Sequence, residues 1–422
     1  MIIQAKCSTL SGSISIPPSK SHTIRAILIA SLAKGTSIIQ SLLRSADTEA
    51  AINAARAIGA IVDDRGHELL ITGVDGEPKK TDDIDVLNSG TTLRLFCGAA
   101  ALGHEEFTID GDASIRKRPI APLLEALRHI GASWHAVNKD DRCPIKMKGP
   151  LCGGKTEVVG ITSQFISSLL IACPLASKDS TITVKDLHER PYVGMTMRWL
   201  DRQGIEYQEK GMETFHVPGG QRYHAFSGSI PADFSSATFP ICAAAITGSD
   251  ILVTGLDMKD TQGDKKVIGY LRTMGVSIEE TKDGLMVKAG TLHGAEIDLN
   301  DTPDALPAMA VVACAADSPT RLINVAHARI KETDRITAMA TELNKMGARV
   351  KELDDGLEIS PATLHGTNVH GHHDHRIVMA LSLAGMIADG TTEIDTAEAV
   401  DVTYPTFIDD LATLGAQLKV IS

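Results

Sequence analysis

Residues 329 to 335 read Arg-Ile-Lys-Glu-Thr-Asp-Arg, so five of seven side chains are charged and both signs are present. A run like this is most often a solvated face. This one leads straight into an amphipathic helical pattern beginning at Ile336, and its residue types suit a polyanion. Arg329, Lys331 and Arg335 could contact phosphate and carboxylate groups, Arg bidentately and Lys as a compact point charge. Glu332 and Asp334 could position those cations, and either could move a proton. Two opposite charges about 4 Å apart gain on the order of 4 kcal/mol at an effective dielectric near 20. Four or five such contacts could therefore hold a polyanion against its desolvation cost.

Similar polar groups open five other segments that are otherwise apolar. They are Lys20, Ser21 and Arg25; Asn88, Ser89, Gly90, Thr91 and Arg94; Thr162, Ser163 and Gln164; Asp304 after Pro303; and Asp374, His375 and Arg376. Helix N-termini carry free N–H groups and about half a positive charge, so they favour anions. Any one Ser or Thr there could be a plain N-cap. The arginines and the lysine are harder to dismiss, because a cation beside a positive helix end costs energy unless an anion is bound.

The elements that must position these residues form a repeat. Helices ending on Gly59, Gly131, Gly204, Gly275, Gly347 and Gly415 recur at spacings of 72, 73, 71, 72 and 68 residues. Glycine suits that place because the residue past a helix end often takes a left-handed backbone. The polar-opening apolar segments, marked by Ser21, Gly90, Ser163, Ser235, Asp304 and His375, recur in step at 69, 73, 72, 69 and 71 residues. Being apolar nearly all round, they are expected to be buried helices, with the Gly-terminated helices outside them. Alternating runs such as 277–290 and 349–362, each with an Asp-Gly pair, read as hairpins turning at Asp283-Gly284 and Asp355-Gly356. One unit is thus strand, helix, strand, helix and hairpin, and there are six. The last is cut short after Gly415, while residues 1–16 are strand-like surplus at the other end, so the termini are expected to pair in one sheet. That divides the chain into a continuous domain, 17–231, and a discontinuous one, 1–16 plus 232–422, with a site in the cleft between them. A six-unit solenoid is the alternative.

The chain has 422 residues and a net charge of −12, which argues against non-specific nucleic-acid binding. Only 4% of residues are aromatic against 36 glycines, so small residues must build much of the core. Seven cysteines, an odd number with no Cys-x-x-Cys pair, read as free thiols in a reducing compartment. The N-terminus shows no signal-peptide pattern, and no apolar run reaches about 18 residues. A cytoplasmic protein that does not bind membranes is expected. Two motifs mislead. Gly149–Thr156 matches G-x-x-x-x-G-K-[ST], but the β-branched run and Gly160 that follow make a poor helix, which that phosphate loop requires. The crowded His370, His372, His373 and His375 suggest zinc, yet no spaced Cys or Glu completes a ligand set.

The stretches PPSKSHTIRA, LNSGTTLR, RKRPI, TSQF, PDA, RIKETDR, DHR and YPTF occur in the order found in the EPSP synthases (3-phosphoshikimate 1-carboxyvinyltransferases), which the chain resembles over nearly its whole length. The resemblance implies an α/β protein with a two-domain inverse α/β barrel-like fold. Each domain would hold three βαβαββ units around buried parallel helices. It also implies transfer of the enolpyruvyl group of phosphoenolpyruvate to the 5-hydroxyl of shikimate 3-phosphate by addition and elimination, without metal or organic cofactor, in a monomer. By the same resemblance Lys20, Ser21, Arg25, Thr162, Ser163, Gln164, Asp304 and Lys331 would bind shikimate 3-phosphate. Lys20, Gly90, Arg118, Gln164, Arg335 and Arg376 would bind phosphoenolpyruvate. Asp304 would take the 5-hydroxyl proton, Glu332 would protonate the methylene carbon, and Lys20 would assist. Gly90 stands where glyphosate-tolerant members often carry Ala, which implies glyphosate sensitivity. The chain departs from the pattern at Glu189 (commonly Ser), His327 (often Asn) and Val402 (Lys in some members). UDP-N-acetylglucosamine enolpyruvyl transferases, of the same fold, typically have Lys-Asn where this chain has Lys20-Ser21 and commonly a reactive Cys in the loop that here reads GDASIRKRPI. A non-catalytic repeat scaffold would have no need of Asp304, Glu332 and four arginines on buried helices.

Overall fold

The computed structural model describes residues 1–138, 140–288 and 290–421. The chain forms two compact units, one running from Pro18 to Pro231 and the other made of Met1–Pro17 with the chain from Ala232 onward. In the continuous unit the helices are α1 (Lys20–Leu32), α2 (Ala46–Ala57), α3 (Gly90–Ala100), α4 (Ala121–His129), α5 (Ser163–Ala172) and α6 (Arg190–Arg202). In the discontinuous unit they are α7 (Phe234–Thr247), α8 (Lys266–Thr273), α9 (Leu306–Cys314), α10 (Arg335–Lys345), α11 (His375–Gly385) and α12 (Phe407–Thr413).

The odd-numbered helices are the central ones, and their sequences explain why. Every residue of α3, α9 and α11 is buried. A segment such as LPAMAVVAC has no polar stripe to offer water, so it is stable only with neighbours on all sides. Small residues let those neighbours come close. A Cβ on Gly98 of α3 would lie 2.7 Å from Ser168 Oγ of α5, so only glycine permits that approach. The even-numbered helices keep one wet face. In α10, Ile336, Met339, Ala340 and Leu343 are buried, while Thr341, Asn344 and Lys345 are not.

Among the described residues six four-stranded sheets carry these helices. Gly154–Val159 crosses through α5 to Ser180–Lys185, which lies parallel to it with Thr156 opposite Ile182. The chain then passes through α6 into a hairpin whose return strand, Thr214–Val217, pairs antiparallel with Ser180–Lys185. The same order of strand, central helix, parallel strand, outer helix and hairpin serves the other sheets, with strands borrowed across the sequence in three of them. Ser227–Ser229 lies parallel to Thr36–Gln40, and Ser11–Ser15 lies parallel to Asp250–Thr254. Ile2–Lys6 fits between Thr391–Ile394 and Gln417–Ile421, antiparallel to both, with Ala5 opposite Thr392 and Leu418. The N-terminal strand thus supplies the hairpin strand that the last unit lacks.

The hairpins differ in detail from the expectation. Their two-residue turns are Lys282-Asp283 and Asp354-Asp355, one position earlier than the Asp-Gly pairs, and Gly284 and Gly356 already sit in the return strands. Gly356 is needed for close approach and not for the turn, because a Cβ there would lie 1.8 Å from the Leu322 carbonyl oxygen in the neighbouring strand. Gly356→Ala must push two strands apart and is expected to cost about 1–3 kcal/mol. Urea unfolding would measure it, and an unchanged midpoint would contradict it. Lys155 and Thr156 lie within the strand Gly154–Val159, so the phosphate-loop lookalike lacks the helix that would make it one.

Candidate active site

The continuous unit gathers its polar residues where α1, α3 and α5 begin. The caps are Ser19, Ser89 and Thr162, each accepting a backbone N–H from two or three residues on. This leaves Ser21, Gly90 and Ser163 inside the first turns. Lys20 Nζ pairs with Asp47 Oδ2 at 3.0 Å. The Asp47 carbonyl in turn accepts a hydrogen bond from Thr92 Oγ1 of α3 at 3.4 Å.

Arg25, one turn into α1, is 1% exposed. Its Nε donates to Thr196 Oγ1 at 2.9 Å, its Nη1 to the Ser21 carbonyl at 3.0 Å and its Nη2 to Ser167 Oγ at 3.3 Å. Burial pushes its pKa down to about 10, opposed by nearby Tyr192 and Glu189, so it remains a cation at neutral pH. The α5 N-terminus holds a carboxylate. Glu189 Oε2 accepts from Ser163 Oγ at 2.8 Å, from Ser163 N at 3.1 Å and from Thr162 Oγ1 at 3.2 Å.

Gln164 links α5 to α3. Its Oε1 accepts from Arg94 Nη1 at 2.9 Å, and its Nε2 donates to Thr91 Oγ1 at 3.1 Å. Arg118 follows the short turn Ile115–Lys117 and is anchored through Nη2 to Asn88 Oδ1 at 2.8 Å and Ser114 Oγ at 3.2 Å. Gly90 lies under these two arginines. A Cβ on it would come 2.6 Å from Nη1 of both Arg118 and Arg94, so the missing side chain is what lets the guanidinium groups lie on the first turn of α3.

The discontinuous unit builds its cluster around one guanidinium. Arg335, at the start of α10, is 1% exposed. Its Nε donates to Asp374 Oδ2 at 2.7 Å, its Nη1 to Asp304 Oδ1 at 2.6 Å and its Nη2 to Glu332 Oε2 at 2.6 Å. Burial alone would lower its pKa, but Asp374, Glu332 and Asp304 outweigh burial and hold it above the usual arginine value. Asp304 is shared, since its Oδ2 also meets Arg376 Nη2 at 2.9 Å. Asp374 does double duty as the cap of α11, accepting from Arg376 N at 2.9 Å. Four residues singled out from the sequence, Asp304, Glu332, Arg335 and Arg376, are therefore one hydrogen-bonded group. Lys331, half-buried, adjoins Glu332 and closes the short turn Ala326–Ile330 that contains the buried His327. Val402 ends another short turn, Ala397–Val402.

The charge run 329–335 divides into two jobs. Arg329 donates to Asp334 and Glu352, each at 2.8 Å, and to the Leu353 carbonyl at 2.7 Å, so it ties the run to the hairpin. Asp334 caps α10 by accepting from Thr337 N at 3.1 Å. Glu332 and Arg335 belong to the buried group. Asp47 and Asp374 are the partners that sequence reasoning did not assign as site residues. The signal for Asp374 was its place two residues before a helical arginine; nothing local pointed from Asp47 to Lys20. The histidines face carboxylates singly, His370 with Asp395 at 2.6 Å and His372 with Glu342 at 3.0 Å. Among the described residues no group of three or more His, Cys, Asp or Glu side chains is placed to hold a metal ion.

Chemically, one unit offers buried cations and helix N–H groups to anions, and the other offers the carboxyl groups of Asp304 and Glu332, held with Asp374 on a single arginine. The chain is similar to known proteins throughout. A family model described as EPSP synthase (3-phosphoshikimate 1-carboxyvinyltransferase) matches residues 4–411. A 3-phosphoshikimate 1-carboxyvinyltransferase of Ruminiclostridium cellulolyticum is 47% identical over 424 residues, covering 100% of both chains. One of Acetivibrio thermocellus is 47% identical over 420 residues, covering 99% of each. The solved EPSP synthase of Acinetobacter baumannii superposes with a TM-score of 0.84 at 27% identity, again covering 100% of both chains. A family match over almost the whole length, with relatives of this identity and coverage, makes the chain a member of the EPSP synthase family.

Proposed function

We propose that the chain transfers the enolpyruvyl group of phosphoenolpyruvate to the 5-hydroxyl of shikimate 3-phosphate, releasing inorganic phosphate, with the residue roles that follow. Glu332 gives a proton to the methylene carbon, which becomes a methyl group and leaves C2 with cationic character. The 5-hydroxyl oxygen adds to C2 as Asp304 takes its proton, giving a tetrahedral intermediate. C2 then expels inorganic phosphate as the Glu332 carboxylate takes back one methyl proton, which restores the double bond, and the proton held by Asp304 leaves with the phosphate. An acid and a base placed in this way typically contribute 10²–10⁴-fold each. The observation that carries this reading is that Asp304 and Glu332 bond to the same buried guanidinium, Arg335. Arg335 would stabilise the carboxylate that Glu332 becomes after giving up its proton.

Lys20, Ser21, Arg25, Thr162, Ser163 and Gln164 hold shikimate 3-phosphate in this reading, supported by a buried Arg25 and the hydroxyls at the α5 N-terminus. Lys331 adds a cation near the 5-hydroxyl. Gly90, Arg118, Arg335 and Arg376, with Lys20 and Gln164, hold phosphoenolpyruvate, whose carboxylate and phosphate suit guanidinium groups. The chain works as a cytoplasmic monomer. Its seven cysteines are all free thiols, which suits a reducing compartment, and no described helix is long and apolar enough to cross a membrane.

Gly90→Ala tests the phosphoenolpyruvate assignment. The added methyl would meet two arginine ends at 2.6 Å, and these are flexible tips that can move aside, so folding survives. KM for phosphoenolpyruvate is expected to rise about tenfold, with KM for shikimate 3-phosphate little changed. An unchanged KM for phosphoenolpyruvate would contradict the assignment. The activity itself is tested by phosphate release from phosphoenolpyruvate with each of two acceptors. Release that requires shikimate 3-phosphate is expected. Release driven by UDP-N-acetylglucosamine would select the other transferase activity, and release with neither would refute the reading.

A further inference from the structure

The donors at the start of α5 are already in use. Glu189 is 2% exposed and accepts hydrogen bonds from Ser163 N, Ser163 Oγ and Thr162 Oγ1 through one oxygen, Oε2. It reaches them from a left-handed backbone, φ 56° and ψ 40°, immediately before α6. That conformation is unfavourable for a side chain of this kind and persists only where the surroundings hold it. The buried cation Arg25 lies within range of its charge. A carboxylate on helix N–H and hydroxyl donors, beside a buried arginine, is placed as a bound anion would be. A phosphate and the Glu189 carboxylate cannot both occupy those donors, because like charges at such a separation repel and Ser163 N has one proton to give.

We propose that Glu189 is a specificity-determining residue that fills the phosphate position at the α5 N-terminus, and that shikimate 3-phosphate binds by displacing it. The inference rests on the assignment of Thr162 and Ser163 to the substrate phosphate made above. Binding is then an exchange of anions. Apparent affinity is the intrinsic affinity multiplied by the fraction of molecules with Glu189 withdrawn. A phosphate carries more charge and more acceptor oxygens than a carboxylate, so it can displace the side chain. Shikimate without its phosphate cannot, and Glu189 thereby acts against it.

The test uses Glu189→Ser and Glu189→Asn. Both are neutral and shorter, and Asn tolerates a left-handed backbone, so a folding failure in one leaves the other to decide. KM for shikimate 3-phosphate, KM for phosphoenolpyruvate and the inhibition constant of inorganic phosphate against shikimate 3-phosphate are measured for each protein. We expect KM for shikimate 3-phosphate to fall about tenfold, as it does when a one-in-ten open state becomes fully open. The phosphate inhibition constant should fall by a similar factor, and KM for phosphoenolpyruvate should stay put. A helix cap without this role would lower the melting temperature and leave both shikimate-side constants unmoved. Unmoved or weaker binding in a folded variant overturns the proposal while an active wild type keeps the functional reading intact. A wild type with no turnover that depends on shikimate 3-phosphate overturns both.

Discussion

Asp304→Ala is expected to lower kcat by about 10³-fold or more while leaving the protein folded. The size follows from what the carboxylate does in the proposed reaction. Without a base the 5-hydroxyl must lose its proton to water, and general base catalysis of this type is worth 10²–10⁴-fold. Asp304 also aims two guanidinium groups, Arg335 at 2.6 Å and Arg376 at 2.9 Å, so its loss disturbs their direction as well. Folding survives because Arg335 keeps Asp374 and Glu332 as partners. Asp304→Asn separates the two contributions. Its one amide oxygen can still accept a hydrogen bond from one of the two guanidinium groups but cannot take the proton, so its kcat should fall nearly as far as that of Ala. A kcat within tenfold of wild type in both variants, measured by phosphate release at saturating substrates, would show that the base lies elsewhere.

Arg335→Met is expected to have the largest effect on stability. The guanidinium is 1% exposed and bonds three carboxylates, one of which, Asp374, is itself fully buried. Removing it leaves buried negative charge without its counter-charge, and breaking a buried ion pair from one side typically costs 3–5 kcal/mol. For a unit of this size that corresponds to a fall of roughly 10 °C in the melting temperature of the discontinuous unit. Arg335→Lys keeps the charge but cannot reproduce three directed contacts, so it should recover only part of the loss. Thermal unfolding of the three proteins checks this. A Met variant that melts within 2 °C of wild type would mean that the cluster is solvated and its bonds are worth little.

The sequence revealed periodicity well and partnership poorly, for physical reasons. A glycine after a helix and an apolar segment without a polar stripe are dictated by local backbone and burial, so the six units, their helices and the polar openings could be read directly. Whether Ser19 or Ser21 caps α1 depends on dihedral angles at one residue, and the difference of two positions decides which hydroxyl stays available. Arg329 and Arg335 look equivalent in a seven-residue run. Only the hairpin Arg349–Ser360 and the α11 cap, both distant in sequence, show that the first braces a turn and the second gathers carboxylates. Glycines beside Asp suggested turns at Gly284 and Gly356, yet those residues answer to a neighbouring strand that no local pattern contains. Glu189 was visible as a departure from the family pattern. Its place on the α5 donors depends on a left-handed residue ahead of α6, which sequence does not announce for glutamate.

In the proposed reaction addition precedes elimination, with Glu332 giving a proton to the methylene carbon. Addition converts that methylene to a methyl group, and elimination then removes one of three hydrogens. Product made in deuterium oxide must therefore carry solvent deuterium. The most direct measurement is the mass of the enolpyruvyl methylene after turnover in deuterium oxide with shikimate 3-phosphate. Deuterium is expected in the product methylene from wild type, with turnover collapsing in Glu332→Gln. Product formed at the full rate with no deuterium in the methylene would contradict it, because the carbon would never have been protonated.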